Sequence, residues 1–414
     1  MRIQIITVGT YGSVAPYTGL GHRLLAEGHR VELVTHARYT ESAGCCGLAT
    51  RALAGDPFEQ LLAAHARSGR SPASPRRLYD MGHASRNAAA GLVDGIIDAV
   101  DDKADVLLLS TLAAPIGAVV AAYHRIPSAG VFLQPEEPTA AFPPCVMGHR
   151  PESRVNRALG RAVTRGFDTL YGAANRRLHA RLGLPRCSTA QLRRRRNGSL
   201  WPVWHGFSPA VVPRPPDWRP GLYVTGYWWP HACPEWTPPP EVTDFLEAGP
   251  APVFIGFGSM MPRAAEELGD IVLRALRRAG LRGVVQSGRA GLSVAADDVI
   301  TVGGMPHAWL FPRMAAVVHH AGAGTTGAGL RAGVPAVPVP VLTDQPWWAS
   351  RLVRLGVSPG VLPHARLSAE RLAAALRRVT GDPGYRLRAT DLAARIGCED
   401  GSGQVARAIA ARLG

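Results

Sequence analysis

Continuous apolar runs alternate with helical stretches along the first half of the chain. The runs read IQIITVG, RVELVTH, ADVLLLST and SAGVFLQP, and segments of helical character separate them. Their apolar residues are consecutive rather than alternating, which is typical of strands buried on both faces of a sheet. Repetition of strand, helix and strand predicts a parallel sheet with right-handed crossovers.

The pattern changes near residue 201 and then resumes. A segment rich in Pro, Gly and Trp shows no helical period, which predicts a linker with short strands. A second alternating series follows, with the apolar runs APVFIGFGSM, LRGVVQSG, DVITVG, AAVVHHAG and AVPVPVL. We therefore expect the α/β fold class, with two Rossmann-like domains facing a ligand cleft. The expected boundaries are 1–205 for the first domain, 206–240 for the linker, 241–390 for the second domain, and 391–414 for a C-terminal helix that packs back toward the first domain.

The net charge raises the question of a nucleic-acid partner, since the 414 residues carry a formal charge of +15. Lys103 is the only lysine, so arginine supplies almost all of the positive charge, a bias that a GC-rich genome produces. The densest cluster, in QLRRRRNGSL, has no interleaved aromatic residues for base stacking, and we interpret it as a solvated loop. We expect no nucleic-acid partner, although a basic protein attracts anionic substrates such as nucleotide sugars.

Cysteine spacing and hydropathy bear on the cellular compartment. The six cysteines form no CxxC pair and have no histidine at metal-ligand spacing, which favours reduced thiols and no metal site: Cys45, Cys46, Cys145, Cys187, Cys233 and Cys398. No apolar run reaches the roughly 18 residues that a membrane span requires. The chain enters a strand at once, without the features of a signal peptide. The expectation is a cytoplasmic protein without a membrane span.

The stretch TYGSVAPY follows the first apolar run directly, and a helical segment follows it. A glycine-containing turn between a strand and a helix aims backbone N–H groups and short side chains into a ligand site. Ser13 lies at the tip of this turn. Its hydroxyl could bind a substrate, relay a proton, or cap the helix that follows.

The stretch HHAGAGTTGAGL combines a strand end, a glycine-rich turn and the start of a helix. Glycine permits close backbone approach, so several N–H groups can converge on an oxyanion, and the helix dipole favours negative charge there. The segment matches neither the P-loop pattern nor the dinucleotide fingerprint after a first strand. It therefore favours a diphosphate held as a leaving group over phosphoryl transfer.

An adjacent carboxylate and amide, Asp344 and Gln345, follow the run AVPVPVL. The carboxylate accepts hydrogen bonds, and the amide both donates and accepts them, so the pair suits vicinal hydroxyls. Asp-Gln-Pro alone is more often a turn than a site. Its place near the glycine-rich turn favours a sugar site.

The segment HHAGAGTTGAGLRAGVPAVPVPVLTDQPWWASRLVRLGVSPG resembles the donor-site signature of inverting GT-B glycosyltransferases of family 1, most closely the sterol and natural-product (antibiotic) enzymes. FGSM, PHAWLFPR, FSPAVVPRPPDW and VTGYWW are similar to other segments of that group, and the first loop and helix resemble it more loosely. The resemblance implies a GT-B fold. It also implies transfer of a hexose from a UDP- or dTDP-sugar to a hydrophobic small-molecule acceptor, without a metal or other cofactor.

The resemblance implies roles for individual positions. The donor diphosphate would be held by Gly12, Ser259, His320, Gly322, Ala323, Gly324 and Thr325. Asp344 and Gln345 would bind hydroxyls of the sugar. The nucleobase would lie against Gly304, Met305 and His307. The acceptor would be lined by the first half of the chain, with Tyr11, Tyr79 and Phe142 as candidates.

The sequence departs from the family pattern at the expected general base. The group carries Asp or His in the first loop, whereas this chain has Ser13, which accepts no proton at neutral pH without a base of its own. Glu136 could serve instead, with Glu137, His22 and His83 as further candidates. Alternatively, the acceptor is acidic or strongly nucleophilic, or the protein is an inactive partner of a transferase.

We therefore expect an inverting glycosyltransferase of natural-product biosynthesis, with Ser13, Glu136 and His320 as the candidate catalytic residues. The alternatives are a non-catalytic nucleotide-sugar-binding helper and a GT-B epimerase or hydrolase. The residues carry no prediction of the oligomeric state.

Overall fold

The computed structural model describes residues 1–56, 75–148, 150–258, 265–288, 291–341 and 343–412, with side chains described from residue 85 in the helix that begins at Pro75. The chain forms two compact units. The first contains Met1–Ala141, Glu152–Pro234 and Asp400–Gly414, and the second contains Phe142–Pro151 and Glu235–Glu399. Neither unit is a continuous stretch of sequence.

The described part of the first unit is built on a parallel sheet of seven strands in the order β3-β2-β1-β4-β5-β6-β7. The strands are β1 Arg2–Ile6, β2 Arg30–His36, β3 Ala49–Leu53, β4 Val106–Leu109, β5 Ser128–Phe132, β6 Val203–His205 and β7 Leu222–Val224. Ile5 pairs in register with Leu33 on one side and Leu108 on the other, and all three are fully buried. The consecutive apolar runs thus form central strands, as predicted.

Helices connect these strands. They are α1 Ala15–Ala26, α2 Ala37–Gly44, α3 Pro75–Ala99, α4 Ala114–His124, α5 Arg154–Leu170, α6 Gly172–Arg181 and α7 Thr189–Gly198. Helix α7 contains the arginine cluster, so the prediction of a loop there was wrong. Ser188 and Gln191 form a capping box at its start, and Arg193 pairs with Asp168 at 2.8 Å. The cap and the ion pair stabilise a helix that the run of charges did not indicate.

The described part of the second unit contains a parallel sheet of five strands in the order β10-β9-β8-β11-β12. The strands are β8 Val253–Gly256, β9 Gly283–Gln286, β10 Val299–Val302, β11 Ala316–His319 and β12 Ala336–Pro338. The helices are α8 Pro240–Glu247, α9 Ala265–Ala279, α10 His307–Leu310, α11 Ala323–Arg331, α12 Gln345–Arg354, α13 Ala369–Gly381 and α14 Pro383–Gly397. Leu276 and Leu372 pack with the strands in one buried core. Two parallel α/β sheets agree with the predicted fold class.

The boundaries of the units differ from those expected. Strand β7 lies within residues 206–240 and pairs with β6, and the first unit continues to Pro234. Helix α14 ends the second unit, and a separate helix, α15 Gly401–Arg412, belongs to the first. Val405 and Ile409 of α15 share a buried core with Leu20 and Leu24 of α1. Tertiary burial, rather than local composition, thus determines where the first unit ends. Within the described residues, no helix combines the length and apolar character that a membrane span requires.

A disulfide joins Cys45 to Cys233 in the first unit, with Cα atoms 5.5 Å apart and a sequence separation of 188 residues. The prediction of reduced thiols was therefore wrong for this pair, whereas Cys46, Cys145, Cys187 and Cys398 form no disulfide among the described residues. The two cysteines belong to no short motif. Only the fold brings the end of α2 beside the segment that follows β7.

We expect reduction of this disulfide to destabilise the first unit. Closing a loop of this length lowers the entropy of the unfolded chain by an amount worth about 5 kcal/mol. Dithiothreitol should therefore lower the thermal unfolding midpoint by several degrees. The variant in which Cys45→Ser and Cys233→Ser are combined should unfold at the reduced midpoint and should not respond to dithiothreitol, whereas Cys187→Ser should keep the full response. Alkylation of six rather than four cysteines in the unreduced protein would contradict the assignment.

Candidate functional site

The strand order of the second sheet creates a crevice at the carboxyl ends of β8 and β11. Strand β8 lies between β9 and β11, so the chain proceeds to one side after β8 and later returns to the other side as β11. Such a reversal of strand order is where open α/β sheets bind ligands. Gly258 follows β8, and His320 to Gly322 follow β11, at this reversal.

The imidazole of His320 lies between two glycines, one after each of these strands. A β-carbon on Gly258, after β8, would lie 2.8 Å from Cε1 of His320, and a β-carbon on Gly322 would lie 2.5 Å from Nε2. Both distances are shorter than real contacts of a β-carbon, and Gly258 also has a φ of +69°. The position of the His320 ring therefore requires glycine at both sites.

Burial makes His320 a neutral hydrogen-bonding group. It lowers the pKa of His320 to about 4, so the imidazole is uncharged at neutral pH. Nδ1 is buried and has no hydrogen-bond partner in the described part of the chain. With the single proton on Nε2, the ring would present an N–H on its edge nearest Gly322.

Helix α11 begins beside this edge. Gly322 is its N-cap, and the N–H of Thr326 donates to the Gly322 carbonyl at 2.9 Å. The N–H groups of the three preceding residues, Ala323, Gly324 and Thr325, therefore precede the first hydrogen bond of the helix. Gly322 has no side chain that could cap the helix, and the first turn contains no acidic residue. The structure thus brings five of the predicted diphosphate residues together in one turn with the positive end of a helix dipole.

Asp344 and Gln345 lie at the start of helix α12. The Asp344 carboxylate accepts hydrogen bonds from the Thr343 hydroxyl at 3.0 Å and from Nε1 of Trp348 at 3.1 Å. Gln345 is only 3% exposed, and its Oε1 accepts from the N–H of Val341 at 2.8 Å. These contacts orient both side chains at the start of the helix.

The predicted nucleobase residues follow strand β10. His307 stacks on Phe311 with ring centroids 4.2 Å apart and contacts Phe254 edge-on at 5.8 Å. Burial, followed by the effect of His320, lowers the pKa of His307 to about 4. Gly304 is exposed and Met305 is half-buried. The imidazole is thus part of an aromatic cluster, beside a stretch of accessible backbone.

The structure places Phe142 in the second unit, although the prediction assigned it to an acceptor site in the first. Its ring contacts Trp347 of α12 edge-on, with centroids 5.3 Å apart. The segment Phe142–Pro151 packs along α12 because its apolar residues find partners there. Ser259 and the side chain of Tyr79 lie outside the described residues.

In the first unit, Ser13 ends a short 3₁₀ turn, Tyr11–Ser13, between β1 and α1. The Thr7 hydroxyl donates to the Ser13 carbonyl at 2.8 Å, which holds the turn. The N-cap of α1 is Val14, and its side chain makes no capping hydrogen bond, so Ser13 is not the cap. Its own hydroxyl makes no hydrogen bond within the described residues, and Tyr11 beside it is 59% exposed. Of the three hypotheses for the Ser13 hydroxyl, substrate binding and proton relay are left.

A histidine that the sequence did not single out, His36, lies beneath this loop. His36 ends β2 and is 1% exposed, and the Gly9 N–H points at its Nε2 from 3.4 Å. Nδ1 lies 3.1 Å from the Gly55 carbonyl, and Asp56 lies 4.0 Å from Nε2. Burial lowers the pKa of His36, and Asp56 partly opposes that shift. The sequence feature that could have indicated His36 is its position as the final residue of the apolar run RVELVTH, which forms the strand adjacent to β1.

Glu136 is exposed and lies in the loop after β5. Burial, with a second contribution from the Glu136 charge, raises the pKa of both Tyr17 and Tyr171. Tyr171 donates to the Leu112 carbonyl at 2.9 Å, in the loop after β4. The carboxylate therefore lies within electrostatic range of groups at the carboxyl edge of the first sheet. Another candidate base, His22, stacks on His231 at 3.6 Å.

Both parts of the chain match protein-family models. Residues 3–121 match the glycosyltransferase family 28 N-terminal domain, and residues 283–411 match the C-terminal domain of the erythromycin biosynthesis protein CIII-like family.

Relatives of known activity extend over nearly the whole chain. O-mycaminosyltylonolide 6-deoxyallosyltransferase of Streptomyces fradiae is 34% identical over 97% of this chain and 95% of its own length. Sterol 3-beta-glucosyltransferase UGT80A2 of Arabidopsis thaliana is 33% identical over 97% of this chain, which spans 64% of that protein. The chain thus spans about two thirds of the plant sterol enzyme.

Solved structures show the same fold. The glycotransferase of kitacinnamycin superposes with a TM-score of 0.72 at 20% identity, covering 100% of this chain and 99% of the other. The glycosyltransferase VinC, solved in complex with dTDP, superposes with a TM-score of 0.69 at 16% identity, covering 100% and 99%.

We expect Gly258→Ala to weaken binding of inorganic diphosphate at least tenfold, because the new β-carbon displaces His320. Gly280→Ala is the matched control, since Gly280 has a similar φ of +66° and nothing within 4 Å of its β-carbon position. Both variants carry the backbone strain of alanine at positive φ, but only one moves the imidazole. Titration calorimetry measures the affinities. Equal affinities for the two variants would refute the requirement for glycine beside His320.

Proposed function

Because the chain belongs to the GT-B glycosyltransferases of the antibiotic and sterol type, we propose that it transfers a hexosyl unit from a nucleoside diphosphate sugar to a hydrophobic small molecule. The likeness to the O-mycaminosyltylonolide 6-deoxyallosyltransferase over nearly its full length supports a natural-product acceptor. The dTDP complex of VinC favours dTDP over UDP as the carrier. A cytoplasmic location is part of the proposal, although the Cys45–Cys233 disulfide is unusual there.

The observation that carries this proposal is the juxtaposition of His320 with the start of α11. When the anomeric carbon–oxygen bond breaks, the electron pair leaves on the diphosphate. The N–H groups of Ala323, Gly324 and Thr325 and the N–H of neutral His320 would stabilise the developing charge. A cradle that is built before the reaction needs no reorganisation as the charge develops. We infer that these groups provide the neutralisation without a metal ion.

The transfer would proceed with inversion. The acceptor nucleophile attacks the anomeric carbon from the face opposite the diphosphate, and its proton passes to a base. Asp344 and Gln345 would orient the sugar through its hydroxyls. Holding both reactants in line makes the attack effectively unimolecular, which can lower the barrier by up to about 7–11 kcal/mol.

A donor assay with and without candidate aglycones distinguishes the proposed transfer from the alternatives. Purified protein is incubated with dTDP- and UDP-hexoses, and nucleotides and glycosides are measured by mass spectrometry. Nucleotide release that depends on an aglycone supports transfer. Release without an aglycone indicates a hydrolase, an altered sugar that is still attached to its nucleotide indicates an epimerase, and binding without turnover indicates a helper. In the transferase case, His320→Ala should lower kcat by about 10² to 10³, whereas His124→Ala should leave it unchanged.

We infer that Glu136 is the general base when the acceptor is an aliphatic alcohol. It lies beyond a strand end of the first sheet, and its charge reaches the buried tyrosines of that edge. The competing explanation is an acceptor acidic enough to need no base. The two explanations differ in how the rate depends on the acceptor.

Glu136→Gln should lower kcat by about 10² to 10⁴ with alcohol acceptors, because the amide accepts no proton. With a phenolic acceptor the loss should be much smaller, since a phenol, with a pKa of about 10, gives up its proton far more readily than an aliphatic alcohol. Glu137→Gln is the neighbouring control and should stay within about twofold of the unsubstituted protein. Equal rates for both variants with an alcohol would exclude Glu136 and favour the acidic acceptor.

A further inference from the structure

Ala321 adopts a backbone conformation that favours glycine. Its φ is +63°, and only three other non-glycine residues in the described part of the chain have a positive φ: Arg125, Leu200 and Thr343. A β-carbon destabilises this left-handed conformation, and alanine has no polar side chain to compensate locally. Ala321 lies between His320 and Gly322, so its conformation determines how the imidazole and the start of α11 are oriented. An interaction elsewhere must hold it.

The side chain of the preceding strand residue supplies that interaction. The N–H of Ala321 donates to Nδ1 of His319 at 3.0 Å. Because Nδ1 accepts, the proton of the neutral ring is on Nε2. The ring is neutral because burial, and then the neighbouring His320 and His307, lower the pKa of His319 to about 3. The two-residue contact closes the turn at the end of β11.

The same side chain carries an unfavourable feature. His319 is 0% exposed, and its Nε2 is buried without a hydrogen-bond partner among the described residues. An unsatisfied buried N–H is destabilising, and apolar residues fill the other positions of β11. A leucine or valine would serve the core better. A role for the other ring nitrogen, Nδ1, would explain why an imidazole occupies this position.

We propose that His319 is a positioning residue for the anion site, whose Nδ1 holds Ala321 in the left-handed conformation and so orients His320 and Gly322 toward the ligand. The proposal rests on the proposed function in that the ligand is the diphosphate of the donor. His319 itself contacts no substrate. It acts through one hydrogen bond to the main chain.

A set of four variants tests this role. His319→Leu removes the acceptor and keeps a side chain of similar size. His319→Asn keeps an acceptor oxygen near the position of Nδ1. Ala321→Gly removes the β-carbon that makes the left-handed conformation unfavourable, and the fourth variant combines it with His319→Leu. The affinity for thymidine diphosphate is measured by calorimetry well below the unfolding midpoint of each variant.

We expect His319→Leu to weaken binding about tenfold, which corresponds to about 1.4 kcal/mol. His319→Asn should stay within about threefold of the unsubstituted protein. Ala321→Gly combined with His319→Leu should recover most of the loss, because glycine adopts the conformation without help. A purely structural role for His319 would instead give equal losses for Leu and Asn and no recovery by glycine. Either result, or unchanged binding in His319→Leu, overturns the proposal.

Two further measurements keep the test independent of folding and of catalysis. If His319→Leu does not fold, ¹⁵N chemical shifts of the histidines in the unsubstituted protein decide the matter. A shift typical of an unprotonated, hydrogen-bonded Nδ1 at His319 supports the proposal, and a protonated Nδ1 refutes it. The binding series needs no turnover, so a failure of sugar transfer with an intact binding pattern would reject the proposed function but retain the role of His319.

Discussion

The His320 imidazole fits at the end of β11 only because the backbone on each side of it carries no side chain. Gly258 and Gly322 approach the ring so closely that one β-carbon on either would collide with it. The rest of the anion site follows from this packing. The buried ring is neutral, the turn beyond it starts a helix without an acidic cap, and the N–H groups that precede the first hydrogen bond of that helix lie beside the imidazole. Strand order determines where this can occur, since loops from β8 and β11 meet only at the reversal.

The first unit uses the same topology for a different chemical environment. Its reversal of strand order lies between β1 and β4, where the Gly9 N–H faces the buried His36 and the Val8 N–H donates to the Ser110 hydroxyl. Short polar side chains and a buried imidazole thus surround the first loop, which has Ser13 where the family resemblance predicts Asp or His. The second unit presents donors to an anion, whereas this edge presents hydroxyls and, farther along, the Glu136 carboxylate. Hydrogen-bond donors suit a departing diphosphate, whereas hydroxyls and a carboxylate suit an acceptor substrate that must lose a proton.

Local patterns in the sequence predicted the parts of the structure that depend on local patterns. Consecutive apolar runs identified buried parallel strands, and the glycines after His320 identified a turn that opens a helix. The features that were missed depend on distant residues. The Cys45–Cys233 pair spans most of the first unit. His36 becomes a candidate only because the fold places the Gly9 N–H of the first loop against its ring, and β7 is a strand because β6 lies beside it. Phe142 was assigned to the first domain because its neighbours in sequence belong there, although its partner Trp347 is in the second.

The chain passes between the two units at four places, and the passage at Phe142–Pro151 bears on how such proteins can recombine. Exchange of halves between relatives is simplest at a single crossover, and the segment around Pro234 is the natural place for one. A crossover there would leave Phe142–Pro151 with one parent and helix α12 with the other, so that a foreign ring would face Trp347. Helix α15 would likewise pack against an α1 from the other parent. Functional hybrids are therefore expected to inherit the short segment and the second unit from the same ancestor, and the modules of inheritance are discontinuous in sequence.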